Sequence, residues 1–207
     1  MSQLDRAVEV MDRLRSPGGC AWDAEQTHES LARYLLEEAY EVLEAIERDD
    51  RPLLREELGD LLLQVLFHAR LAEEEPAPYT IEDVARDLVD KLIRRHPHVF
   101  AGAERTDAAT LNETWERQKI AEKGRTSAVD GVPLAQPALA LAGKLVARAE
   151  RAGLAVPTPE EDELGAQLFE LVRTAVARGV DPETALRRTT RAYRDAIVAA
   201  ESGPGHS

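Results

Sequence analysis

The first half of the chain alternates apolar stripes of helical period with short polar breaks. The first stripe ends at Ser16 to Gly19, and a longer one runs from about Glu25 to Glu47. Between them, Trp22 is predicted to lie in a loop beside Asp23, a residue type that often caps a helix. The pattern therefore predicts two amphipathic helices, the first built on Leu4, Ala7, Val8, Met11 and Leu14.

A third helix is predicted to begin near Pro52, because proline suits the first turn of a helix. It stays apolar on nearly all sides as far as Phe67, a pattern typical of a helix buried on more than one face. The break from Arg48 to Pro52 is short enough to return this helix antiparallel to the second. We therefore expect a helical hairpin at the centre of the molecule.

The remaining pattern is also helical. Thr80-x-x-Asp83 resembles a capping box that opens a fourth helix, and this helix ends in the basic segment Lys91 to Arg95. Further helices are predicted at 111–122, 137–151, from Thr158 to Gly179, and from Pro182 to about Ala200. No strand is predicted. We expect an all-α antiparallel bundle in residues 1–123, a linker at 124–133, a second helical segment at 134–201 and a disordered tail at 202–207.

Two acidic pairs stand at helical spacing in the predicted hairpin. Glu38 and Glu41 share one face of the second helix, and Glu57 and Asp60 share one face of the third. With Leu35 at the centre of the apolar stripe, Glu38 is the most inward-facing acid, because the stripe then contains Leu31, Ala39, Val42 and Ile46. Carboxylates without His or Cys suit a hard cation, so the pattern predicts magnesium, with manganese as the alternative.

Composition narrows the function classes. The chain has 207 residues, 43% hydrophobic content and a formal net charge of -13, which argues against binding to a nucleic-acid backbone. Cys20 is the single cysteine, and neither a targeting segment nor a membrane span is recognisable, so we expect a cytoplasmic protein. Association into a homodimer or higher oligomer is predicted, because one bundle could leave Leu53, Phe67 and Leu71 exposed.

The second half contains an echo of the third helix. Glu57-Leu58-Gly59-Asp60 is matched by Glu163-Leu164-Gly165-Ala166, so an alanine stands where the first copy has an aspartate. No segment of the second half repeats Glu37-Glu38-x-x-Glu41. The second half is therefore predicted to be a shortened, degenerate helical repeat without the metal ligands.

These motifs together resemble the MazG nucleoside triphosphate pyrophosphohydrolases. The resemblance covers about residues 4–122 and rests on the two acidic motifs, Gly18 to Asp23 before them, and Lys91 to Phe100 after them. It implies an all-α nucleoside triphosphate pyrophosphatase fold that dimerises. It also implies magnesium-dependent hydrolysis of normal or aberrant nucleoside triphosphates to a monophosphate and pyrophosphate, by attack of water at the α-phosphorus.

The resemblance also assigns roles to residues. Glu38, Glu41, Glu57 and Asp60 would hold magnesium, with Glu37 placed to position or deprotonate the attacking water and Glu38 beside it in the catalytic motif. The implied substrate-binding residues are Lys91, Arg94, Arg95 and Lys119 for phosphates and Trp22 or Trp115 for the base. Ala21 replaces the proline that usually precedes the tryptophan, and the second half lacks the full acidic set of two-domain members.

Other interpretations of the same residues remain open. A Glu-rich helix is often only a solvated face, a basic helix end can simply complement the helix dipole, and tryptophans are commonly packing residues. His68, His96 and His98 are expected to serve packing or capping more often than catalysis. A di-iron bundle is disfavoured because neither Glu38 nor Glu57 has a histidine three residues on. The alternative function is a non-enzymatic helical interaction or regulatory module with a vestigial metal site.

Overall fold

A computed structural model describes residues 1–102, 126–159 and 162–202 of the chain. Every regular element in these ranges is a helix, so the predicted all-α class is confirmed. The chain divides into two compact units, Met1–Thr106 and Asp107–Ser207. The helices of the first unit are α1 (Gln3–Arg15), α2 (Ala21–Glu25), α3 (His28–Glu47), α4 (Arg51–Ala72), α5 (Ile81–Arg95) and α6 (Pro97–Phe100).

Local capping fixes the ends of the long helices in the first unit. Thr27 caps α3, because its hydroxyl accepts a hydrogen bond from the Ser30 backbone N–H and the Ser30 side chain accepts one from Thr27. Asp50 caps α4 through its carboxylate, which accepts a hydrogen bond from the Leu53 backbone N–H, and Pro52 occupies the first turn. The predicted capping box of Thr80 and Asp83 opens α5. Only three residues separate α3 from α4, and the two helices pack against each other as a hairpin.

The core of the first unit lies at the α1 side of this hairpin. Its buried residues are Met11, Leu31, Leu66, Phe67 and Leu71. Burial along α4 is concentrated after Gln64, whereas the half of α4 that carries the acidic pair is more open. The core therefore anchors one end of the hairpin and leaves the carboxylate end accessible.

Two predicted helix starts are wrong. Trp22 lies in the short helix α2 and not in a loop, and α3 begins at His28 because the Thr27 capping box takes over from the apolar period. In the second unit, the helix expected from Thr158 begins at Glu163, where the Asp162 side chain caps it. In both places a local hydrogen-bonding residue inside the apolar pattern decided the boundary.

The buried face of α3 is also displaced from the prediction. Leu31 and Ala45 are buried, whereas Leu35 is 40% exposed and Ile46 is 54% exposed. The inward side of α3 instead contains Leu31 and Glu38. Glu38 therefore lies closer to the middle of the buried side than the prediction centred on Leu35 implied. Phe67 and Leu71, two of the three residues that a single bundle could have left exposed, are buried in the core.

The second unit contains α7 (Ala138–Arg151), α8 (Glu163–Ala177) and α9 (Pro182–Glu201). A close approach of α7 and α9 occurs at Gly143, where a Cβ atom would lie 3.1 Å from Cγ of Pro182. The predicted helices at 137–151 and 182–200 correspond to α7 and α9. The predicted helix at 111–122 and the tail after residue 202 lie outside the described residues.

The echo motif occupies a different place in its helix from the motif that it resembles. Glu163 is the first residue of α8, whereas Glu57 lies one and a half turns inside α4. A Cβ on Gly165 would approach the capping Asp162 side chain at 2.9 Å, whereas a Cβ on Gly59 would meet nothing within 4 Å. The two glycines are therefore in different surroundings despite the shared sequence.

Candidate metal centre

Three carboxylates from the two arms of the hairpin come together. Glu38 and Glu41 from α3 and Glu57 from α4 each offer an oxygen, and these oxygens lie within 4.8 Å of one another. The hairpin connection explains the meeting, because it returns α4 along α3 and places the two helical acidic pairs opposite each other. Among the residues that the structure describes, this is the only group of three acidic, His or Cys side chains so close together.

The electrostatics of this cluster are those of crowded like charges. Partial burial, a side-chain hydrogen bond with Glu41, and the charges of Glu41, Asp60 and Glu57 together raise the pKa of Glu38 to about 7. Partial burial and the charges of Glu41, Asp60 and Glu56 raise the pKa of Glu57. Asp60 therefore acts on both residues although it is outside the group of three. A cation would relieve this repulsion, and the all-oxygen donor set fits a hard divalent ion.

Glu37 lies beside this cluster without joining it. Its side chain is exposed on α3, one position before Glu38 and therefore about 100° round the helix. The structure brings together three of the four predicted metal ligands, places Asp60 within electrostatic reach, and leaves Glu37 facing solvent at the edge.

Trp22 lies in an aromatic group near the α1 side of the hairpin. Its ring meets Tyr34 edge-on at a centroid distance of 6.0 Å and Phe67 at 6.4 Å. Nevertheless Trp22 is 49% exposed. Tyr34 stands one turn before Glu38 on α3, so this group lies about 6 Å along the helix axis from the level of the carboxylates.

The α2 helix that carries Trp22 is fixed by a buried arginine. Arg15 donates two parallel hydrogen bonds of 2.9 Å to the carboxylate of Glu74, and its remaining Nη1 donates to the backbone carbonyl of Asp23. Arg70 also donates to Glu74, at 2.9 Å, and to Asp12. Sequence reasoning missed this network because its partners are 58 and 59 residues apart in the chain.

The predicted phosphate-binding residues are only partly described. Lys91 and Arg94 are exposed and Arg95 is half-buried in the last turns of α5, which packs against α4. Trp115 and Lys119 lie outside the described residues. Sequence reasoning also did not single out Gln64, which is 4% exposed on α4 one turn after Asp60 and has a buried Oε1 without a hydrogen-bond partner.

Comparison with known proteins identifies the family. The MazG nucleotide pyrophosphohydrolase domain matches residues 26–100, the segment that carries all four predicted metal ligands. The nucleoside triphosphate pyrophosphohydrolase/pyrophosphatase MazG of Thermotoga maritima is 41% identical over 92% of this chain and 82% of its own length. This chain belongs to the MazG family. The nucleoside triphosphate pyrophosphohydrolase of Escherichia coli K12 is also similar to this MazG-family chain. The two sequences are 42% identical, and the match covers 87% of this chain and 71% of the Escherichia coli protein.

The predicted family and enzyme class are confirmed by these relatives. A crystal structure of a mazG-related protein from Thermotoga maritima is 29% identical to this MazG-family chain, covers 56% of it and 97% of that chain, and has a TM-score of 0.47. None of the helices in the described part of the MazG-family chain is long and apolar enough to cross a membrane.

Proposed function

We propose that this MazG-family protein hydrolyses normal or aberrant nucleoside triphosphates to a nucleoside monophosphate and pyrophosphate in a magnesium-dependent reaction. Water attacks the α-phosphorus, so a bond forms between the water oxygen and that phosphorus while the bond from the phosphorus to the bridging β-oxygen breaks. The observation that carries the proposal is the convergence of Glu38, Glu41 and Glu57 from two helices within 4.8 Å. Membership of the MazG family supports the same chemistry.

Glu38, Glu41, Glu57 and Asp60 would hold the magnesium ion, or manganese in its place. The chemistry that the ion supplies when bound is screening of phosphate charge, polarisation of the phosphorus centre and acidification of water. Glu37 is exposed at the edge of the cluster, where its carboxylate can accept a proton from the attacking water. Glu38 contributes to catalysis by fixing the geometry between that base and the acidic cluster.

The substrate is proposed to extend from the carboxylates in two directions. Lys91, Arg94, Arg95 and Lys119 would contact phosphate oxygens, the arginines through bidentate hydrogen bonds. The edge-on contacts of Trp22 with its aromatic neighbours leave half of the ring exposed, so it can stack on a base; Trp115 is the other proposed platform.

We also propose that the first unit associates with a second copy of the chain. Large apolar side chains on three of its helices are 37% to 57% exposed, a larger set than a monomer usually leaves in water. They are Leu35, Leu36, Leu43 and Ile46 on α3, Leu58, Leu62, Leu63 and Val65 on α4, and Val84, Leu88, Val89, Leu92 and Ile93 on α5. We call this set the three-helix apolar face.

The second unit is proposed to be a degenerate repeat without a catalytic centre. Ala166 replaces the aspartate of the first motif, and Glu163 is taken up by the first turn of α8. In residues 126–159 and 162–202, no three potential metal ligands lie together as they do in the first unit. A cytoplasmic location fits a nucleotide substrate and the single cysteine.

The test is to incubate the protein with magnesium and each nucleoside triphosphate in turn, and to measure monophosphate, pyrophosphate and orthophosphate separately. We expect pyrophosphate and monophosphate in equal amounts from at least one substrate. Glu38→Gln and Asp60→Asn should lower turnover at least a hundredfold. Glu44→Gln is the matched control, because Glu44 lies on the same helix but pairs with Arg48 at 2.6 Å.

Two results would contradict the proposal. Release of orthophosphate without pyrophosphate would mean that a different bond is cleaved. Absence of product from every triphosphate would instead favour the non-enzymatic helical module.

A further inference from the structure

Two histidines meet across the hairpin in an unusual geometry. The Nδ1 atoms of His28, the first residue of α3, and His68 on α4 are 2.6 Å apart. The ring planes differ by 3° and the centroids are 4.9 Å apart. This centroid separation is the N–N distance plus the two ring radii, so the rings lie edge to edge in one plane and are not stacked face to face. This is the arrangement of a linear N–H···N hydrogen bond.

The outer neighbour of the pair favours one arrangement of the protons. Nε2 of His28 lies 3.3 Å from a carboxylate oxygen of Glu75, and this charge contact favours the tautomer that carries its proton on Nε2. In the neutral pair, Nδ1 of His28 is then bare and accepts a hydrogen bond from Nδ1–H of His68. Nε2 of His68 is consequently bare, and this atom is buried without a hydrogen-bond partner.

A metal ion between the two rings does not fit this geometry. A zinc ion bound head-on by both Nδ1 atoms, at about 2.0–2.1 Å from each, would hold them about 4 Å apart. The observed separation is 2.6 Å. One shared proton therefore explains the contact, and a bridging metal does not.

Adding protons to the pair is unfavourable at each step. The first added proton has to occupy Nε2 of His68, where it would be a buried donor without an acceptor. The second would place protons on both facing Nδ1 atoms, which cannot remain 2.6 Å apart. Burial and the neighbouring His28 accordingly hold the pKa of His68 below its ordinary value.

The surrounding charges leave Glu75 as the counterion of the pair. Neighbouring Glu74 is already engaged by Arg15 and Arg70, and Arg70 also binds Asp12. Among the described residues, the acidic side chain in contact with the pair is Glu75.

We propose that His28, His68 and Glu75 form a proton-gated latch between the start of α3 and the C-terminal half of α4. The latch is closed when the two rings share one proton between their Nδ1 atoms, and it opens when both facing Nδ1 atoms carry a proton. Opening releases one end of the hairpin whose other end holds Glu41 and Glu57 together. Acid therefore loosens the register of the helices that carry the carboxylates. This inference does not depend on the proposed reaction.

The direct test is nuclear magnetic resonance of the ¹⁵N-labelled full chain without metal. At pH 8 we expect a scalar coupling between two imidazole Nδ1 nuclei and opposite tautomers for His28 and His68. His98→Gln is the control and should leave this coupling intact, whereas His68→Phe should abolish it. Lack of the coupling in the wild-type protein at pH 8, with all rings titrating alike, would overturn the latch.

A second test measures thermal unfolding from pH 7.5 to pH 5.0 for the wild type and the His28→Phe/His68→Phe variant. The difference between them cancels the titration of the carboxylates that both proteins contain. Since the folded wild type resists protons that the unfolded chain accepts, its melting temperature should fall relative to the variant by several degrees towards pH 5. A constant difference would contradict the proposal. If the double variant does not fold, Glu75→Gln replaces it. Loss of the carboxylate that faces Nε2 of His28 should lower the pH at which the coupling disappears, and an unchanged pH would contradict the proposal.

Discussion

Glu38 and Glu41 stand one turn apart on α3, and their carboxylate oxygens lie within 4.8 Å of each other. Burial together with this crowding of carboxylates raises the pKa of Glu38 to about 7. Desolvation is the largest cause of this rise, followed by the contributions of Glu41, Asp60 and Glu57. Without a cation, the cluster therefore holds a proton near neutral pH, and a divalent ion has to displace it.

Magnesium binding should consequently release protons. At pH 6 we expect up to one proton per ion bound, falling towards zero at pH 8.5, and affinity should rise by at most about tenfold per pH unit below pH 7. Isothermal titration calorimetry in two buffers of different ionisation enthalpy measures the number released. Glu38→Gln should show weaker binding without the buffer dependence. Equal apparent enthalpies in both buffers at pH 6 for the wild type would contradict this account.

The same titration predicts how stability changes with pH in the presence of a chelator. Because the folded pKa of Glu38 is raised, the folded state binds more protons than the unfolded state between its ordinary value of 4.5 and about 7. The proton on Glu38 therefore stabilises the folded state fully below this pH range, and this stabilisation is lost as the pH rises through the range. Relative to Glu38→Gln, the wild type should therefore become less stable from pH 4.5 to 7, as read by urea unfolding. If the wild type instead became more stable relative to Glu38→Gln between pH 4.5 and 7, the prediction would be wrong.

Arg15→Lys should loosen the helix that carries Trp22. Lysine cannot keep two parallel hydrogen bonds to Glu74 together with the one to the Asp23 carbonyl, so we expect a loss of about 1–3 kcal/mol of stability. In a Trp115→Phe background, fluorescence reports Trp22 alone and should shift to longer wavelength. Arg86→Lys is the control, since Arg86 is exposed and pairs only with Asp83 among the described residues. An unchanged Trp22 spectrum in Arg15→Lys would show that the network does not position the ring.

The carboxylate centre could be predicted from the sequence because it depends on local periodicity. Residues three apart on a helix share a face, and a three-residue break leaves few ways to connect two helices other than a hairpin. The capping box of Thr80 was recognisable for the same reason. By contrast, Thr27 begins α3 two residues after the expected start, because a capping pair of Thr27 and Ser30 inside a helical pattern looks like ordinary helix sequence.

Contacts between distant residues could not be predicted in this way. His28 and His68 are 40 positions apart, and each looks like an isolated histidine on its own helix. Their meeting depends on the length of the hairpin and on the rotation of each helix, and the rotation of α3 was misjudged because Leu35 and Ile46 proved to be exposed. The apolar pattern included these exposed residues, because apolarity alone does not distinguish a core residue from an interface residue.

Two glycines should respond in opposite ways to alanine. A Cβ at Gly19 would lie 2.2 Å from the Leu14 carbonyl oxygen, a backbone clash, so Gly19→Ala should cost about 1–3 kcal/mol. A Cβ at Gly59 would meet nothing within 4 Å, so Gly59→Ala in the middle of α4 should add about 0.5–1 kcal/mol of stability. Chemical unfolding at low protein concentration measures both. Loss of stability in Gly59→Ala under those conditions would contradict the open surroundings of that glycine.

The three-helix apolar face should control self-association. Sedimentation velocity of the wild type should show a homodimer or a larger assembly, because leaving side chains such as Leu36, Leu58 and Val89 in water is unfavourable. Leu58→Glu should shift the chain towards the monomer by at least tenfold in dissociation constant, since a charge buried at an interface is costly. Val10→Glu is the matched control, because Val10 is 51% exposed on α1, outside that face. A wild type that sediments as a monomer at micromolar concentration, or a Val10→Glu variant that dissociates as readily as Leu58→Glu, would show that association uses another surface.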